Sequence, residues 1–247
     1  MRTITIVTAL CAATPAHADV APPTIVGFAR NGRQVLLRRG DGTLQRLSDA
    51  GRPVDPPLRE DQVRKFRHGS RLRQEHSRVL GKGVDLRLAG HQILLRRHGR
   101  SIRVWSAEGC PVETVVDGWR SANGQVLALV LQRACRPSGE VVVISLAAVS
   151  RTLQQRGAAL ARQGKPGGAT EAYQQALALQ PGAPAVIYGL AVVAALQGDQ
   201  RGAVAWLAKL RGQSSAAARR LLVRARFDRD FRLIKDSASF RAVVGMY

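Results

Sequence analysis

The chain has 247 residues, 45% of them hydrophobic and 22% charged, a balance that excludes a disordered chain and accommodates one or two domains with cores of their own. Its 38 lysines and arginines against 17 aspartates and glutamates give a formal net charge of +21. Five of those basic residues are lysines, and so lopsided a use of arginine points to nucleotide bias rather than to a selected surface, which disfavours nucleic acid as a partner. Anionic polymers of a cell envelope stay open as a partner class.

The stretch MRTITIVTALCAATPAHA places Arg2 ahead of an apolar run from Ile4 to Ala13 and closes on Ala16-His17-Ala18, a small-x-small site. That layout predicts a secretory signal peptide over 1–18, cleaved after Ala18. The run is too short for a stable anchor, which takes about 20 apolar residues. A lipid-modified Cys11 is the competing idea, against which Leu10 stands where such signals carry a small residue. No later segment is apolar over enough length to span a membrane, so the mature chain is expected in the periplasm or outside the cell.

Residues 19–147 read as a β-rich domain. Asn31-Gly32 and Gly40-Asp41-Gly42 bracket a strand near Gln34–Leu37, and a second strand follows near Thr43–Leu47. Gly90 and Gly99 punctuate strands near Gln92–Arg96 and Ser101–Trp105 in the same way. A third copy turns at Asn123-Gly124 and again at 137–139. Gly27-Phe28 and Gly118-Trp119 each precede such a turn and an apolar strand. That recurrence resembles, weakly, the repeat unit of WD40-like β-propeller blades. Three units are too few to close a propeller, so paired hairpins in a small sheet or partial barrel are expected. Between the first two copies, 59–80 is charged and rich in helix formers, with Val63, Phe66, Leu72 and Val79 as a thin apolar stripe. A helical insertion packed on the sheet is predicted there.

Loss of a leader would leave Cys110 and Cys135 at the ends of a hairpin turned at Asn123-Gly124. A two-residue turn sets 112 opposite 135, about two residues off the register a bridge needs, and a bulge or the bend at Pro111 would close the gap. In an oxidising compartment they are expected to pair, contributing roughly 3 kcal/mol, with two buried thiols as the alternative.

After Leu146 the apolar period becomes helical, which sets the boundary of a domain over 148–247. Gly157, Gly164 and Ala169 recur as Ala191, Gly198 and Ala203, each 34 residues later. With Tyr173 and Ala176 between them and Pro181 closing the unit, the segment GAALARQGKPGGATEAYQQALALQPG resembles the tetratricopeptide repeat family. A diverged second copy runs over 184–217. Phe231, Ile234, Lys235 and Phe240 resemble the closing pattern that follows bacterial arrays of this family. The resemblance implies an α+β chain: a small antiparallel β-rich domain followed by an α-helical tetratricopeptide (α-solenoid) array with a C-terminal cap.

It also implies a role in protein–protein interaction through a groove lined by first-helix residues. By spacing these are Arg151, Gln154, Ala158 and Ala161 in the first repeat, then Ala185, Tyr188, Val192 and Ala195 in the second. The lining suits an apolar helix or extended peptide of a protein partner. The chain's own C-terminal helix is the other occupant that the sequence allows.

Nothing in the sequence assembles a catalytic set. His68, His76, His91 and His98 fall in no zinc-ligand spacing, and the nucleophile elbow and phosphate-loop patterns are missing. The adjacent Glu60 and Asp61 would splay apart on a helix. No catalytic, cofactor-binding or metal-ligating residue is therefore assigned. The expected role is a non-catalytic adaptor or assembly factor of a bacterial cell envelope. A binding module for anionic envelope polymers is the alternative, and an enzyme with its site in the β-rich domain comes third.

Overall fold

The computed structural model describes residues 21–245, apart from 56–59, 67, 69, 76–77, 82–83 and 134. The expected leader over 1–18 lies outside the described residues. The chain divides into two compact units that part between Ala148 and Val149.

In the first unit the described strands pair antiparallel in three sheets. The first sheet is a meander of β1 (Thr24–Phe28), β2 (Gln34–Arg38) and β3 (Leu44–Ser48). Its turns follow the local chemistry. The Asn31 and Asp41 carboxamide and carboxylate accept the N–H groups of Arg33 and Thr43, and Gly32 and Gly42 take the left-handed conformation the reversals need. Cross-strand pairs Ile25 with Leu37, Phe28 with Val35, and Val35 with Leu47 carry the buried face.

The second sheet holds β10 (Val112–Arg120), β11 (Val126–Arg133) and β12 (Arg136–Ser145), with the short β4 (Ser70–Arg71) on the far side of β10. The third is a meander of β5 (Arg73–Glu75), β6 (Arg78–Gly81), β7 (Val84–Ala89), β8 (Gln92–Arg97) and β9 (Arg100–Ser106). β11 explains why the expected single sheet or partial barrel does not form. Its run Val126–Leu131 is buried on both faces, as a continuous apolar strand demands. Val126, Ala128 and Val130 on one side meet Ile25, Phe28, Val35 and Leu37 of the first sheet.

The helix expected over 59–80 is corrected. Glu60–Phe66 forms a 3-10 turn, and Ser70–Arg71, Arg73–Glu75 and Arg78–Gly81 are strands. The apolar stripe is too sparse to bury a helix face, whereas free sheet edges supply hydrogen bonds that override the local helix preference. His68 exchanges backbone bonds with Phe28 at 2.8 and 3.2 Å, and the Leu72 N–H donates to the Gly118 carbonyl. The four stripe residues are nonetheless core: Val63 and Phe66 pack with Leu36 on the outer face of the first sheet, and Leu72 and Val79 are buried.

Two hairpin details also differ. The β10–β11 connection is wider than a two-residue turn: Ser121 and Val126 close it, Arg120 pairs with Leu127, and bulges bring Val112 opposite Arg133. The expected reversal at 137–139 is not there: those residues lie within β12, and Arg133 already pairs with Arg136. Gly139 sits at a register slip, where Arg133 faces Arg136 but Leu131 faces Glu140.

Cys110 and Cys135 are joined as a disulfide with Cα atoms 6.1 Å apart. Beside it the buried Arg133 guanidinium donates to Glu140 Oε2 at 2.9 Å, to the Cys110 carbonyl at 3.3 Å and to the Glu108 carbonyl. A buried cation in an apolar sheet would be costly alone; here three acceptors satisfy it.

The second unit is helical: α1 (Leu146–Arg162), α2 (Pro166–Leu179), α3 (Pro184–Leu196), α4 (Gln200–Arg211), α5 (Ala216–Ala225) and α6 (Ala238–Val244), with a 3-10 turn at Arg229–Phe231. Punctuation is local. Pro166 and Pro184 occupy first-turn positions, where no backbone donor is needed. Asp199, Ser215 and Ser237 accept from the N–H groups of Gly202, Ala218 and Phe240. Gly164 and Gly198 follow α1 and α3 at φ +68° and +75°. Among the described residues no helix is long and apolar enough to cross a membrane.

Candidate functional site

Three residues set how closely the helices approach. A Cβ added at Gly157 of α1 would lie 2.9 Å from the Tyr173 ring, and one added at Gly189 of α3 would lie 2.4 Å from it. The ring of Tyr173 on α2 is therefore wedged between two helix backbones, buried to 6% exposure. Burial pushes its phenol above the ordinary range. Ala169, Ala176, Val186, Leu190 and Val193 complete this core, and the Ser150 hydroxyl donates to the Ala176 carbonyl at 3.0 Å. Gly189 was not singled out by repeat spacing. Its signal was a glycine inside a helix, which costs up to about 1 kcal/mol relative to alanine unless something must come close.

The eight residues expected to line the groove separate into two groups. In the first repeat Arg151 is exposed and Gln154, Ala158 and Ala161 are half-buried, the two alanines leaning on the Tyr173 core. In the second repeat Ala185 is exposed, whereas Tyr188 and Ala195 are buried in a second core with Phe231 and Phe240, against which Val192 is half-buried. Tyr188 and Ala195 are thus not open lining.

What covers them is the chain's own C-terminal segment. The Tyr188 hydroxyl donates to Asp228 Oδ2 at 2.6 Å, and its ring meets Phe231 edge-on at 5.8 Å. Phe231 stacks at a tilt on Phe240, 5.4 Å away, and Ile234, Val243 and Val244 fill the remaining space. Arg224 lies 5.6 Å over the Tyr188 ring and 3.5 Å from Asp228. Burial first, then the bond to Asp228, drives the Tyr188 phenol far above its ordinary value. Of the residues named for the closing pattern, Phe231, Ile234 and Phe240 are core, and Lys235 is exposed. Asp228 and Arg224 were missed because their partner lies 40 positions away for the aspartate, beyond any local spacing rule.

The first unit offers two shallow hollows. One, of about 230 Å³, is lined by Arg71, Leu72, Val79 and the β10 stretch Val115–Gly118. Its carboxylate, Asp117, is taken up by Arg71 at 3.1 Å and by the N–H groups of Ile25 and Gly118. The other, about 450 Å³ and open, is lined by Gly81, Val84, Asp85, Arg96, Arg97 and His98. Among the described residues that line them, neither brings together two carboxylates or a nucleophile with a base. Among the described residues no three His, Cys, Asp or Glu side chains are placed to hold a metal ion.

Residues 160–226 match the sequence model of the tetratricopeptide repeat family. The match spans α2, α3, α4 and α5, so the C-terminal half carries a tetratricopeptide helical array on an α+β chain. No curated protein and no solved structure matches the chain.

Proposed function

We propose that this chain is a non-catalytic protein-binding module of the cell envelope, exported through its leader and acting as an adaptor or assembly factor. The observation that carries the reading is the tetratricopeptide match over 160–226 together with the Gly157–Tyr173–Gly189 wedge that sets two helix pairs side by side. The surface assigned to the partner is the first-repeat face, Arg151, Gln154, Ala158 and Ala161, extended by Ala185. An apolar helix or extended peptide fits this small-residue lining. Export is supported by the layout of 1–18 and by a disulfide, a bond that persists in oxidising compartments.

The test is a photo-reactive residue placed singly at Gln154, Ala185, Glu171 or Arg201 in the full chain, expressed with its leader. Gln154 and Ala185 should yield the same adducts, and the exposed second-helix positions Glu171 and Arg201 should not. Adducts indifferent to position would refute the groove. The recovered chain should begin at Asp19; an intact leader would refute export.

A further inference from the structure

Away from the proposed partner surface, the C-terminal cap exposes three apolar side chains in a segment rich in arginine. Val223 on α5 is 50% exposed, Phe227 one turn later is 81% exposed, and Leu233 beyond the 3-10 turn is 67% exposed. The inner side of the same segment is spent on the fold, through Ala218, Ala225, Phe231 and Ile234. Phe227 and Leu233 are therefore surplus to the cap. Around them Arg219, Arg220, Arg229, Arg232 and Lys235 are all exposed. Of the acids in this segment, Asp228 is committed to Tyr188 and Arg224, and Asp230 and Asp236 are exposed; the five cations outnumber those two, so the patch stays net cationic.

We propose that this face docks on an anionic phospholipid surface, with Phe227 and Leu233 entering the headgroup layer and the arginines meeting lipid phosphates. Charge complementarity with apolar insertion selects the occupant. A soluble polyanion would satisfy the arginines and leave Phe227 and Leu233 in water. A second copy of the chain would bring two cationic patches together. A bilayer interface supplies anions and an apolar layer about 5–10 Å deep, which suits apolar side chains projecting from a cationic surface.

The full chain lacking residues 1–18 is spun with vesicles of phosphatidylglycerol and phosphatidylcholine in equal parts, and with pure phosphatidylcholine vesicles. Binding to the mixed vesicles alone is expected. Phe227→Ser with Leu233→Ser should weaken it about tenfold, because both side chains are removed from an apolar layer. Arg219→Glu with Arg220→Glu should weaken it at least as much at low salt, each basic residue near the surface being worth about tenfold or less. Arg33→Glu with Arg52→Glu, the same charge change in the first unit, should leave binding within about twofold. All of these positions are exposed, and far-ultraviolet circular dichroism confirms that the variants keep their helices. Binding that survives the serine pair, that falls equally with the first-unit pair, or that is equal on neutral vesicles overturns the proposal. Failure to bind either vesicle also overturns it and leaves a protein as the occupant.

Discussion

A glycine in the middle of a helix usually weakens it, and Gly189 shows when the opposite holds. In an exposed helix the change to alanine would stabilise by up to about 1 kcal/mol. At Gly189 the new methyl would sit 2.4 Å from the Tyr173 ring, which Gly157 blocks on its other side. Gly189→Ala should therefore destabilise the helical unit by about 2 kcal/mol, as overpacking does. Tyr173→Leu should remove most of the difference in a double-mutant cycle. Denaturant melts decide it: an alanine variant as stable as the parent would mean that the wedge does not set the spacing.

Asp230 makes a second case at this scale. Its carboxyl is raised above the usual range, first by burial and next by the charge of Asp228, with Arg224 and Arg232 opposing. A carboxyl raised in the folded state favours folding while protonated and opposes it once charged. The cost is therefore absent below the unfolded value near 3.8 and complete above the folded one. Asp230→Asn should raise the melting temperature at neutral pH and lose that advantage near about pH 3. A gain that persists in acid would point to some cause other than charge.

At the scale of elements, legibility followed the reach of the signal. The second unit's helices were readable because their punctuation is local: a proline at a first turn, a glycine after a last one, and a 34-residue recurrence of small residues. Ser70–Arg71 and Arg73–Glu75 were not, because they are strands only where edges elsewhere accept them; β4 pairs through Ser70 and Arg71 with Arg120 and Trp119. The cover over Tyr188 was illegible for the same reason. Spacing names Tyr188 as a first-helix residue, but whether it is open depends on Asp228 and Phe231 folding back. The cysteine pair was legible from hairpin register, and bulges supplied the offset. Because its bridge encloses a loop of 25 positions, Cys110→Ser with Cys135→Ser should cost about 3 kcal/mol in denaturant melts. Arg133 would still hold the Cys110 carbonyl, so the β10–β11 hairpin should form without the bond. Loss of the folded state altogether would show that the clamp alone does not suffice.

Taken whole, the molecule was legible in class and not in layout. Composition and periodicity gave antiparallel strands followed by a helical array. They did not give three sheets, because that division depends on edge pairings between distant segments, such as Ser70–Arg71 with β10. The cap carries a consequence for how such a chain can lengthen. α5 and α6 pack against α4, and Phe231 and Phe240 plug the end of the array. A further helical pair placed behind α6 would find both aromatics already buried within this unit. Any longer descendant would have to gain its extra repeat upstream of Ser215, keeping the aromatic stopper as the final piece.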